Sequence, residues 1–74
     1  MIYVKLCRNY VEADYLLRKF AKKHHNEVKR LRRIYRSMYA ILNNGDEYHF
    51  VPESKYEEWQ IGRRGFEEVK QYEC

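Results

Sequence analysis

The sequence predicts a small α+β domain: a sheet built on a central β-hairpin (about 38–42 and 47–51) plus an N-terminal strand, packed by two to three helices. Three observations predict it. The Asn-Gly pair at 44–45 is a strong hairpin signal, because a type I′ turn needs φ > 0 at both central residues. Apolar residues alternate over 2–7, as in a strand. Over 13–21 they recur at helical spacing.

Length and composition predict one domain spanning residues 1–74. A chain this short buries only about 60% of the surface that its unfolded form exposes. No apolar run approaches the ~20 residues of a membrane span, and the start lacks the pattern of a signal peptide, so we expect a cytoplasmic protein with no membrane partner. Because Cys7 and Cys74 are the only cysteines, we expect a reduced, packed Cys7 rather than a disulfide framework.

The hairpin turn fixes a register. A two-residue turn at 44–45 pairs Leu42 with Glu47, Ile41 with Tyr48, Ala40 with His49 and Tyr39 with Phe50. One face of the hairpin then carries Tyr39, Ile41, Tyr48 and Phe50. We expect the helices to cover this face, since a slip of one residue would turn every one of these side chains toward water.

The first helix has a clear start. Asn9 is a good N-cap, and Glu12 follows three residues later in the capping-box position. The apolar residues from Ala13 to Ala21 lie on one helical face, and the helix should end near 23–25.

A second helix is predicted immediately afterwards. Val28, Leu31 and Tyr35 continue a helical period, and Asn26 either ends the first helix or caps the second. Alternation around residues 35–41 is also typical of a strand. The change to the hairpin therefore falls between 34 and 38, and we place it near residue 36.

Beyond the hairpin, Pro52 ends the strand and the capping box at 54–57 begins a short helix that runs through Trp59. Gly62 has the properties of a C′ residue for that helix. Residues 66–72 are compatible with a strand or a helical turn, and we favour the strand.

The charge is distributed unevenly. Residues 18–36 hold nine basic residues against Glu27, a net charge of +8, whereas residues 37–74 have a net charge of −4. The basic residues are Arg18, Lys19, Lys22, Lys23, Lys29, Arg30, Arg32, Arg33 and Arg36. On two helices they would form stripes able to follow a nucleic-acid backbone, with Tyr35 nearby to stack on a base. The alternative is a solvated surface that keeps the protein soluble.

The order of motifs resembles a known family. The Asn44-Gly45 turn, then Tyr48-His49-Phe50, then the glycine turn and strand over 62–69 resemble the strand–helix–hairpin region before the Walker B strand of phage terminase-like P-loop ATPases. The resemblance implies a small phage or mobile-element accessory protein. No segment matches G-x-x-x-x-G-K-[ST], so the resemblance brings no nucleotide cofactor and no catalytic residue.

Catalytic and metal-binding patterns are not present in the sequence. Adjacent histidines such as His24 and His25 diverge by about 100° on a helix, and no Cys/His spacing matches a structural zinc site. We expect these histidines and His49 to be structural. We therefore expect no enzyme activity, no cofactor, no metal and no small-molecule substrate.

The acidic end supports a second hypothesis, that of a protein partner. Its glutamates, with Tyr56, Trp59 and Tyr72, resemble the aromatic anchors and charged rim of an interface, although Trp59 is expected mainly to pack its helix onto the hairpin. The partner would be a nucleic-acid-binding complex, inhibited as anti-CRISPR proteins inhibit defence nucleases. A homodimer through an exposed final strand is also possible.

Overall fold

A computed structural model describes residues 1–34, 37–62 and 69–72. The described elements are β1 (Ile2–Cys7), α1 (Tyr10–Lys23), β2 (Val28–Ile34), β3 (Ser37–Leu42), β4 (Glu47–Pro52), a 3-10 turn (Glu53–Lys55), α2 (Tyr56–Gly62) and β5 (Val69–Gln71). They form a five-stranded sheet in the order β2-β3-β4-β1-β5. β1 is parallel to β4 and β5, and β3 is antiparallel to β2 and β4. The predicted α+β class is confirmed.

The first helix begins as its capping residues predict. The side chain of Asn9 accepts a hydrogen bond from the backbone N–H of Glu12 at 3.0 Å. The carboxylate of Glu12 instead accepts from the backbone N–H of Arg8, at 2.9 Å, and from the Arg8 guanidinium. The two side chains therefore satisfy the backbone N–H groups of Glu12 and Arg8 at the start of the helix. α1 runs to Lys23, and the backbone N–H of His24 donates to the Phe20 carbonyl at its end.

The predicted second helix is wrong, because Val28–Ile34 is a strand. Val28 lies opposite Leu42 and Leu31 lies opposite Ala40, so both point to the face that α1 covers. They are three residues apart, not two or four, because the register shifts between Val28 and Arg30. An extra residue in a β-bulge thus reproduces the i, i+3 spacing that resembles a helix.

The predicted hairpin register is also wrong, by one residue. Tyr39 lies opposite His49 rather than Phe50. The loop contains a third residue, Asn43, because Leu42 pairs with Asp46. The Leu42 N–H donates to the backbone carbonyl of Asp46 at 2.8 Å, and the Gly45 N–H donates to the Leu42 carbonyl at 2.9 Å. Gly45 has φ +94°, as the Asn-Gly signal predicts. A three-residue loop with one residue at positive φ replaces the two-residue type I′ turn.

The corrected register changes which face is covered. α1 packs through Ala13, Leu17 and Phe20 against Ala40 and Phe50, so the predicted covering of Tyr39 and Ile41 by this helix does not occur. Successive strand residues point to opposite faces. Tyr39 and His49 therefore lie on the second face, where α2 packs through Trp59. The two helices cover opposite faces of the sheet.

The C-terminal half follows the prediction in part. α2 begins at Tyr56 and includes Gly62, which is therefore not a C′ residue. The predicted final strand is confirmed over Val69–Gln71, parallel to β1, while 66–68 lie outside the described residues. Cys7 is buried in the α1 core, as expected, and Cys74 lies outside the described range. Within the described residues, no helix is long and apolar enough to span a membrane.

Candidate nucleic-acid interface

The predicted basic residues lie on one helix and one strand, not on two helices. Arg18, Lys19, Lys22 and Lys23 are on α1, and Lys29, Arg30, Arg32 and Arg33 are on β2. All eight are exposed. Arg36 and Tyr35 lie outside the described residues. The helix and the strand are neighbours, since α1 packs against β2 as well as β3 and β4.

The two elements run side by side in opposite directions. A tight turn joins them, in which the backbone N–H groups of Glu27 and Val28 donate to the carbonyl of His24. At the far end Asp14 of α1 meets Arg33 of β2. β2 is an outer strand of the sheet, and α1 packs beside it on one face, so the basic residues lie on two neighbouring elements.

Asp14 neutralises part of this charge. Its carboxylate accepts from Arg33 Nε at 2.8 Å and from Arg33 Nη2 at 3.4 Å, and it lies 3.3 Å from Arg18 Nε. The hydrogen bond from Arg33 lowers the pKa of Asp14 below its usual value, and the same bond raises the pKa of Arg33. Both arginines are therefore occupied within the molecule.

The remaining cations are not paired in this way. Among the described residues, no acidic side chain forms an ion pair with any of six exposed basic residues, which we call the basic edge. The basic edge consists of Lys19, Lys22, Lys23, Lys29, Arg30 and Arg32. Such side chains are available to phosphate groups without first breaking an ion pair, although the Lys19 ammonium lies 6.0 Å from the centroid of the Tyr15 ring.

Arg32 connects the basic edge to the second face of the sheet. Arg32 lies opposite Tyr39 on β3, and Tyr39 lies opposite His49 on β4. Residues paired across strands point to the same face. A cation, a tyrosine and a histidine therefore follow one another from the outer strand toward α2.

Aromatic rings continue this row. The rings of Tyr39 and His49 have centroids 5.0 Å apart, those of His49 and Trp59 are 5.3 Å apart, and Trp59 stacks on Tyr56 at 5.9 Å. His49 is buried. Trp59 Nε1 donates to His49 Nδ1 at 3.3 Å, so the hydrogen of the neutral ring is on Nε2, which lies 2.9 Å from Glu47 Oε1. This contact confirms that Trp59 packs its helix onto the hairpin.

A cleft of about 350 Å³ opens beside this row, at the carboxyl end of β4. Its wall includes Tyr10, Tyr39, His49, Lys55, Glu58 and Trp59. Lys55 Nζ lies 3.7 Å from Glu58 Oε2, so these two residues form an ion pair at the cleft. Ligands of open sheets with parallel strands commonly bind at the carboxyl ends of those strands.

Sequence reasoning missed this part of the site. The predicted two-residue turn places Tyr39 on the wrong face of the hairpin. From sequence, His49 is expected to be structural, and Trp59 is expected mainly to pack its helix or to anchor a protein interface. The only local signal is the lone Trp59 on a short helix after β4. The described residues contain no cluster of three His, Cys, Asp or Glu able to hold a metal.

Comparisons with known proteins give no family assignment. No protein-family model, curated protein or solved structure matches the chain. The resemblance to the terminase-type ATPase region therefore stays a prediction that these comparisons do not test.

Proposed function

We propose that the protein is a small non-enzymatic binding protein that holds the phosphate backbone of a nucleic acid along the basic edge. The observation that supports this is the presence of six exposed cations on the neighbouring elements α1 and β2, none of them ion-paired with a described acidic residue. Phosphate binding needs such a row of available cations rather than a strict motif.

The arrangement favours a partner over a merely solvated surface. Solubility is served by charges of both signs interspersed over the molecule. Here α1, β2 and the turn between them carry eight basic residues and three acidic ones, whereas residues 47–58 carry four acidic residues and one basic residue. Asp14 occupies only Arg18 and Arg33. The field of the basic edge therefore steers polyanions toward it.

A pair of charge reversals tests the location. Arg32→Glu reverses a cation of the basic edge, and Lys70→Glu makes the same charge change at an exposed position on β5, the opposite outer strand. Fluorescence anisotropy with labelled single-stranded and duplex oligonucleotides measures the affinity. Arg32→Glu should weaken binding for every sequence and reduce the salt slope by about 1, whereas Lys70→Glu should change both little.

Two outcomes oppose the proposal. Equal losses in Arg32→Glu and Lys70→Glu would mean that net charge alone, not the basic edge, determines binding. No binding by the unaltered protein at low salt would end the nucleic-acid proposal. Arg33 is a poor choice for this test because Arg33→Glu would place a second carboxylate beside Asp14.

One observation favours a second candidate, a phage-encoded protein inhibitor of a nucleic-acid machine or defence nuclease. On the outer strand β2, Leu31 and Ile34 are 42% and 53% exposed among the arginines. Apolar anchors beside arginine, on a strand with an open edge, suit strand addition by a protein partner. A pull-down from nuclease-treated bacterial lysate that retains a stoichiometric protein supports this candidate, and recovery of nothing counts against it.

A further inference from the structure

We propose that the cleft beside Trp59 accepts an unpaired base of a single-stranded nucleic acid whose backbone lies on the basic edge. This inference rests on the proposed function and names its substrate class: a strand with unstacked bases, not an intact duplex. It uses residues of the second sheet face that backbone binding alone does not require.

The walls of the cleft suit a flat ring. Tyr39, His49 and Trp59 all line it, and the rings of Tyr39 and Trp59 each contact the ring of His49 on β4. A volume of about 350 Å³ lies at the small end of ligand pockets, which span about 300–1,000 Å³. Bases of any identity stack on such rings, because every base has a π-face.

The position of the cleft beside Arg32 favours a nucleotide as its ligand. Tyr39, which lines the cleft, is the cross-strand partner of Arg32, which belongs to the basic edge. A nucleotide could thus place its phosphate on Arg32 and its base against Tyr39. Lys55 stands at the cleft as a second cation, 3.7 Å from Glu58. An uncharged aromatic ligand would form no ion pair with the neighbouring Arg32.

The aromatic wall is held in place before any ligand binds. Trp59 is fixed by its hydrogen bond to the buried His49, whose other nitrogen lies 2.9 Å from Glu47. A ring whose orientation is already set loses little conformational freedom when a base stacks on it. The cleft is therefore preorganised for stacking.

Trp59 is the only tryptophan, so its fluorescence reports on this cleft alone. The test compares a short single-stranded deoxythymidine oligonucleotide with an abasic strand of the same length, at about 50 mM salt. The base-containing strand should quench Trp59 and bind at least about 5-fold more tightly, the effect of stacking one base. The abasic strand should bind without quenching, and a duplex should quench less than the single strand.

A variant pair locates the stacking. Tyr39→Leu should remove most of the preference for the base-containing strand and leave the affinity for the abasic strand unchanged. Tyr15→Leu is the control, because Tyr15 is an exposed tyrosine of α1 that does not line the cleft. Its ring lies 6.0 Å from Lys19 Nζ, so any effect on backbone binding should be equal for both strands and leave the preference unchanged. Circular dichroism spectra of both variants test whether they fold. If Tyr39→Leu does not fold, the affinities of the unaltered protein for the two strands still show whether a base contributes to binding.

The outcomes separate the two proposals. Equal affinity for both strands without quenching overturns the base-binding cleft and leaves backbone binding intact. An equal preference in Tyr39→Leu and the unaltered protein also overturns it. Quenching by the duplex as strong as by the single strand contradicts the unpaired base. If neither strand binds, the proposed function fails, and the inference fails with it.

Discussion

Asp14 on α1 and Arg33 on β2 form a two-point contact, with oxygen–nitrogen distances of 2.8 and 3.4 Å. The contact joins a helix to an outer strand, 19 residues apart in sequence. It also removes Arg33, together with Arg18, from the set of cations available to a partner. Asp14 therefore joins α1 to β2 and also lowers the number of unpaired cations on these two elements.

Replacing Asp14 should release charge. Asp14→Asn leaves Arg18 and Arg33 without their carboxylate, so we expect tighter nucleic-acid binding and a steeper salt slope, by about 0.7 for each arginine that reaches a phosphate of a single strand. Anisotropy titrations over a salt series measure it. Glu12→Gln is the control, because it removes the same negative charge from a carboxylate that pairs with Arg8. An identical gain in both variants would contradict the local effect.

The same pair predicts a dependence of stability on pH. The hydrogen bond from Arg33 lowers the pKa of Asp14 in the folded protein below its ordinary value of 3.8. Its contribution to the free energy of unfolding is then complete above pH 3.8 and is lost as the pH falls through the lower, folded pKa. Urea unfolding should show a difference between Asp14→Asn and the unaltered protein that narrows below pH 3.8. A constant difference down to the lowest pH would contradict the prediction.

The loop of the hairpin gives a test of backbone strain. Gly45 has φ +94°, and a Cβ there would meet no atom within 4 Å, so the Cβ itself causes no clash and the positive φ is the main cost. Gly45→Val should lower the free energy of unfolding by more than about 1 kcal/mol, because a β-branched residue resists positive φ. Gly62→Val is the matched control, since the Cβ added there also meets open space but the position needs no positive φ. An unchanged stability in Gly45→Val would mean that the turn is misplaced.

The hydrogen bond from Trp59 to His49 should contribute to stability as well as to the cleft. Trp59→Phe keeps an aromatic ring but removes the donor to a buried acceptor, which should cost about 1–3 kcal/mol. Urea unfolding followed by circular dichroism measures this cost. Tyr56→Phe, on the same helix and stacked on Trp59, should cost clearly less. Equal losses would indicate ring packing rather than the hydrogen bond.

Local signals predict the local parts of this fold. Asn9 caps α1 as its neighbour Glu12 indicates, and the apolar spacing that includes Leu17 correctly identifies the buried side of the helix. These features depend on residues within one or two turns of each other. The same holds for the positive φ of Gly45.

The errors arise where one residue changes a register. The bulge after Val28 makes β2 resemble a helix, and the inclusion of Asn43 in the loop moves Tyr39 to the opposite face. Neither is visible in periodicity, because a strand with an inserted residue has no period of two. The cleft was missed for the same reason, since it requires Tyr39 and Trp59 to share a face.

The salt dependence of binding tests the central proposal most directly. If about five cations of the basic edge contact phosphates, the logarithm of the association constant for a single strand should fall with the logarithm of salt concentration at a slope of about −3.5. Titrations between about 50 and 200 mM salt would then show an affinity loss on the order of 100-fold. A flat response, or no binding at the lowest salt, would contradict the assignment of the basic edge to nucleic acid.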